Sequence, residues 1–188
     1  MIQEVMAEAG LDYGSLDALA VTRGPGGFTG VRIGLATARG LALAGSLPVL
    51  GVGNLEAVAA AVPPDERRGR AVVAMLDAKR AELYLQIFAE NLAPMTEPAL
   101  VAPGDLDRLL PAGPMIAVGS AVDQGLRALT RGGTRRVERS AAPGETDAAQ
   151  VAVLAAARPL PAAGTRPPGP LYLRPPDVSP PRAGPVLP

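Results

Sequence analysis

The stretch RGPGGFTGVRIGLATARG, residues 23–40, constrains this chain more than any other. Four glycines and a proline fall within residues 23–30, and the sequence then runs straight into a helical pattern. Glycine opens positive φ to the backbone and proline fixes φ, so Gly24, Pro25, Gly26 and Gly27 predict a tight reversal from strand to helix. Ahead of the turn, LDALAVTRG at 16–24 reads as a short apolar strand. Behind it, Phe28 closes the turn, and Thr29 is the expected cap of a helix over residues 30–44, starting at Gly30. After a break at 45–48, VLGVG gives a second strand, and residues 54–62 a second helix. Strand, helix, strand, helix implies α/β structure with parallel strands and right-handed crossovers.

The turn has two readings. Backbone amides at a helix start can hold an anion. The other reading is purely geometric: the glycines permit the reversal and nothing binds there. The spacing Gly24, Gly26, Gly30 misses the dinucleotide fingerprint by one position, and Arg32 stands well away from where a phosphate-loop lysine is needed. The strand that should end in a ribose-binding acid ends in Gly53 and Asn54. A nucleotide-binding enzyme built on residues 24–30 is therefore the alternative to a turn that merely aims the helix.

Helical spacing at 100° per residue puts Ile33, Gly34, Thr37, Leu41 and Ala44 on one face, expected to lie on the strands. The opposite face collects Arg32, Leu35, Ala36, Arg39 and Leu43. Both faces carry apolar surface, so the helix needs two covers, its own sheet and something further. Residues 2–9 supply a second short helix with Ile2, Val5, Met6 and Ala9 at helical spacing, ended by Gly10. Helix pairs from two chains can then form a four-helix contact with a partner.

Composition removes whole classes of chemistry. The 188 residues contain no histidine and no cysteine. That excludes histidine bases, cysteine nucleophiles, disulfides and zinc sites built on either residue. A peptidase reading has Ser15, Ser46, Ser120, Ser140 and Ser179 but no histidine to activate them, and Lys79 is the only lysine. Eighteen basic residues balance eighteen acidic ones, and aromatics make up 3%, so neither a broad positive field nor a base-stacking platform is expected. No segment reads as a signal peptide or membrane span, which implies a cytoplasmic protein.

The polar, proline-led PPDERRGR at 63–70 marks the expected boundary between a first lobe at 1–63 and a second at 64–158. In the second lobe, AVVAMLD and AELYLQIFAE read as strands joined by a turn at 78–80. Further strands are expected near 98–102 and 115–119, and helices near 104–110, 121–130 and 146–157. Eleven of the twenty-one prolines fall in residues 159–188, which predicts an extended tail in which only LYLR, 171–174, is suited to dock.

Five segments together carry a family resemblance: ALAV at 18–21, GPGGFTGVRIGL at 24–35, PVLGV at 48–52, DAKRAELY at 77–84 and LYLR at 171–174. The chain resembles the TsaB (YeaZ) family of bacterial tRNA threonylcarbamoyladenosine synthesis, over most of residues 1–174, with Gly27 where the family usually has serine. The resemblance implies the ASKHA fold, two ribonuclease-H-like lobes, and a subunit without chemistry of its own. It further implies pairing with TsaD, the metal-bearing transferase, and cooperation with the ATPase TsaE. TsaD moves a threonylcarbamoyl group from an adenylate to the adenosine beside the anticodon of tRNAs reading ANN codons. On this reading tRNA is met only through the complex, ATP or ADP belongs at the complex interface, and the protein alone can form a homodimer.

The family's pairing helices match residues 2–9 and 30–44, and the helical wheel then selects Val5, Met6, Arg32, Leu35, Ala36, Arg39 and Leu43 as interface candidates. Glu at Leu35 and Leu43 is expected to break that seam. Family members open with about three antiparallel strands before the helix that starts here, so the resemblance implies a first lobe incomplete at its N-terminal side, or a Met1 internal to a longer chain. Asp77 and Arg80, with Lys79 and Glu82 beside them, are candidate contacts for nucleotide or TsaE, against a plain solvated turn. Arg67, Arg68 and Arg70 are offset by Asp65 and Glu66 and read as a solvated linker.

Overall fold

The protein is described by a computed structural model covering residues 2–132, 137–162 and 164–174. Two sheets organise it. The first holds β1 (Leu19–Thr22) and β2 (Val49–Val52), paired in parallel with Val21 opposite Gly51. Between them runs α2 (Phe28–Gly45), and α3 (Asn54–Ala60) follows β2. The second sheet has five strands in the order β5, β4, β3, β6, β7. These are β3 (Ala71–Asp77), β4 (Leu83–Phe88), β5 (Ala99–Val101), β6 (Met115–Val118) and β7 (Val137–Arg139). β3 to β5 form an antiparallel meander, while β6 and β7 continue in parallel from β3.

Side-chain alternation explains the layers of the second sheet. Val73 and Met75 of β3 point to one face, with Leu85 and Ile87 of β4. There they meet Leu106 of α4 (Leu106–Leu109) and Val122 and Leu129 of α5 (Val122–Gly132). Val72 and Ala74 point to the other face, where Leu55, Val58 and Ala59 of α3 cover them together with Val62. A sheet buried on both faces favours near-continuous apolar strands, and every residue of β4 is buried, with the polar Gln86 donating to the Thr96 carbonyl at 3.0 Å.

The first sheet is likewise covered twice. Val21 and Val49 meet Val31, Leu35, Ala38 and Ala42 of α2. On the reverse, Leu50 and Val52 meet Val151 and Ala155 of α6 (Ala148–Ala156), which is capped by Asp147. Thus α6, expected with the second lobe, packs on the first sheet, and α3, expected with the first, covers the second. Arg158 holds the end of α6 in place by donating to the Gly51 carbonyl at 2.8 Å and pairing with Glu56.

Three local expectations need correction. The helix of 30–44 starts two residues earlier, at Phe28, with Gly27 rather than Thr29 at the N-cap and no side-chain cap bond. Its inward face is also rotated: Leu35 is buried at 3% exposure, whereas Ile33, assigned to the sheet, is 62% exposed. The inward series Val31, Leu35, Ala38, Ala42 has the i, i+4, i+7, i+11 spacing of a helix stripe, and its small members let the helix sit close on two short strands. β7 and a 3-10 turn at Tyr13–Ser15 had no sequence expectation, both being three residues long.

Candidate partner interface

Rotation of α2 decides which side chains are available. Val31, Leu35, Ala38 and Ala42 face the sheet, so the opposite side presents Ile33, Ala36, Gly40 and Leu43. Leu43 is 86% exposed, and two large aliphatic side chains on one exposed stripe are unsatisfied apolar surface. The helix of residues 2–9 is α1 (Ile2–Glu8), which has no buried residue. Its Val5 is 60% exposed and its Met6 half-buried. Of the seven interface candidates, Val5, Arg32, Ala36, Arg39 and Leu43 lie on the surface and Met6 partly so, while Leu35 belongs to the core.

The two arginines are engaged by the chain's own tail. Arg32 lies over the Phe28 ring, 3.9 Å from its centroid, and donates through Nε to the Tyr172 hydroxyl at 2.9 Å. Phe28 and Tyr172 stack with centroids 5.5 Å apart. Arg39 donates to the Pro168 carbonyl at 2.8 Å. Sequence spacing could not have shown the contacts to Pro168 and Tyr172, which join residues more than 120 apart, whereas Arg32 over Phe28 is an i, i+4 pair of one helix.

The Gly-rich turn is filled from the same side. Gly24 has φ +102, its N–H donates to Asn54 Oδ1 at 3.0 Å, and its carbonyl accepts from the Asn54 N–H. A Cβ at Gly24 would lie 2.7 Å from the Leu171 carbonyl oxygen, so only glycine allows the tail this approach. The Leu171 N–H in turn donates to the Arg23 carbonyl. Gly27 and Gly30 have open space around them, and Pro25 follows Gly24 through a cis peptide bond.

The hairpin between β3 and β4 carries the other candidates. Asp77 accepts from the Lys79 ammonium at 2.8 Å and from the Lys79 N–H at 2.7 Å, while its own N–H donates to Ser120 Oγ. The Lys79 side-chain bond, first, and the Lys79 backbone bond hold the Asp77 carboxyl below its ordinary value. Lys79, Arg80 and Ala81 all have positive φ, which the carboxylate bridge helps to hold. Because the folded pKa is depressed, this contribution is present above the unfolded carboxylate range and lost as pH falls through the folded value. The pair is largely exposed, so Asp77→Asn should shift the melting temperature by less than about 3 °C at neutral pH and by less still at an acid pH below the ordinary carboxylate range. Thermal melts at the two pH values check this. No group of three or more acidic residues suited to a metal occurs among the described residues, and none of their helices is long and apolar enough to cross a membrane.

A parallel strand pair and a five-stranded mixed sheet, with α3 and α6 packed across from one to the other, define a two-lobed α/β protein of the ASKHA, ribonuclease-H-like type. The family model described as "TsaD: tRNA N6-adenosine threonylcarbamoyltransferase" matches residues 1–157, and the chain belongs to that family. Similar proteins carry the TsaB and YeaZ names. The Haemophilus influenzae tRNA threonylcarbamoyladenosine biosynthesis protein TsaB is 46% identical over 93 residues, covering 49% of this chain and 39% of its own. The Escherichia coli protein of the same name is 42% identical over 84 residues, 45% of this chain and 36% of its own. The chain thus spans well under half the length of these curated relatives. The solved structure of YeaZ from Pseudomonas aeruginosa superposes with a TM-score of 0.72 at 28% identity, covering 92% of this chain and 81% of that one. The resemblance to TsaB and YeaZ stated from the motifs therefore holds in sequence and in structure.

Proposed function

We propose that this chain is a TsaB-type partner subunit in tRNA threonylcarbamoyladenosine biosynthesis. It binds a TsaD transferase in the cytoplasm, acts with TsaE, and performs no bond-making step itself. The observation that carries the reading is the exposed stripe of Ile33, Ala36 and Leu43 on an 18-residue helix, backed by the family match. Such a stripe gains by being covered, at about 25 cal/mol per Å² of apolar area removed from water. The lack of histidine and cysteine supports a subunit that leaves metal chemistry to its partner. Balanced charge supports contact with tRNA through the complex alone. ATP or ADP, where it takes part, belongs at the seam with the partner, because Leu171 and Asn54 fill the space around Gly24. Without TsaD, the same stripe can pair two copies of the chain.

Co-purification with TsaD and TsaE, followed by mass spectrometry of the modified adenosine in tRNA, tests the reading. A complex of the three and modification that depends on this chain are expected. Modification at full rate in its absence would overturn the proposal.

A further inference from the structure

Residues 167–174 are too rich in proline to make helix or inner strand, yet they are held at both ends and in the middle. At one end Pro168 lies on β2, where a Cβ at Gly51 would come within 2.7 Å of the proline Cβ, and its carbonyl accepts from Arg39. In the middle the Leu171 N–H donates to Arg23, and Tyr172 stacks on Phe28 under Arg32. At the other end Leu173 joins the core of the second sheet, and Arg174 donates to the Ala78 carbonyl at 2.8 Å and pairs with Glu82. Two glycines of the first lobe, Gly24 and Gly51, have no room for a side chain because of this segment. The segment is a built strap between the flank of α2 and the β3–β4 hairpin.

We infer that this strap is the positioning element of the partner surface, a statement that rests on the proposed pairing with TsaD. Arg32 and Arg39 stand seven residues apart on the flank of α2 beside Leu43. Released, each is a long, hydrated cation at the rim of an apolar stripe, and a partner would have to order and desolvate both. Docked, both guanidinium groups are already bonded within the chain, and the stripe of Ile33, Ala36 and Leu43 is bordered by fixed groups. Preorganisation of this kind raises affinity without adding a contact. The partner it fits is an apolar helix face; each arginine gives one N–H to a neutral acceptor of the strap and is thereby held at the edge of the stripe.

The test pairs two readouts on the full chain: hydrogen exchange of residues 164–174, and the dissociation constant for purified TsaD. Tyr172→Ala combined with Arg174→Ala should raise strap exchange and weaken TsaD binding by about tenfold or more, with unchanged circular dichroism. Arg39→Gln, a milder change on an exposed side chain, should also loosen the strap and weaken binding about threefold. Weakened binding by Arg39→Gln with the strap still protected would show direct contact with the partner and overturn the inference. So would a released strap with unchanged affinity. A wild-type chain that does not bind TsaD would overturn the pairing itself and the inference with it, whereas wild-type binding confines any failure to the strap.

Discussion

Leu35→Glu is expected to unfold the protein, and Ile33→Glu with Leu43→Glu on the same helix to leave it folded but unable to hold TsaD. Leu35 lies at 3% exposure between α2 and the strand pair, beside Val21 and Val49, with no cation in that cluster to meet a carboxylate. An unpaired charge there costs about 3–5 kcal/mol, a large part of the stability of a domain this size. Ile33 and Leu43 already stand in solvent at 62% and 86% exposure, so glutamates there should change stability by less than about 1 kcal/mol. In a desolvated seam with a partner, the same two charges should cost about 2–5 kcal/mol, at least about thirtyfold in affinity. Urea unfolding and titration with TsaD separate the two outcomes. A stable, fully binding Ile33→Glu/Leu43→Glu protein would remove the stripe from the interface.

The second large effect is expected at Gly119, just beyond β6. Its φ is +119, and a Cβ there would lie 2.8 Å from the Met75 carbonyl carbon and closer still to its oxygen. That oxygen already accepts from the Ala121 N–H at 3.1 Å, and Gly144 lies close enough that a Cβ on it would come within 2.9 Å of the Gly119 carbonyl carbon. Backbone cannot yield as a flexible side chain can, so Gly119→Ala should lose about 3 kcal/mol or more. Gly30→Ala is the control: it sits inside α2 with nothing within 4 Å of the added carbon, and alanine there should stabilise by about 0.5–1 kcal/mol. Denaturant midpoints of the two variants should move in opposite directions.

What the sequence displayed was whatever periodicity or glycine chemistry writes locally. The strand pair around the Gly-rich turn, the hairpin at 78–80 and the helices near 121–130 and 146–157 were all legible because period 2, period 3.6 and turn residues mark them. The orientation of α2 was not. Helical spacing put Ile33 on the sheet face, but the strands it would have covered are four residues long, and Val31 with Leu35 fills them. The arginine positions were legible as exposed and illegible as occupied, since their partners Pro168 and Tyr172 come from the far end of the chain. LYLR stood out as a docking segment, yet nothing local showed that it reaches Arg23, Phe28 and the β3–β4 hairpin together.

The cover that α6 provides for Leu50 and Val52 has a consequence for synthesis. A ribosome releases β1 and β2 early, yet the helix that shields their reverse side emerges only after the whole second sheet. The nascent chain therefore carries an apolar sheet face met only by Ala57 of α3 until α6 is made, a surface of the kind that chaperones recognise.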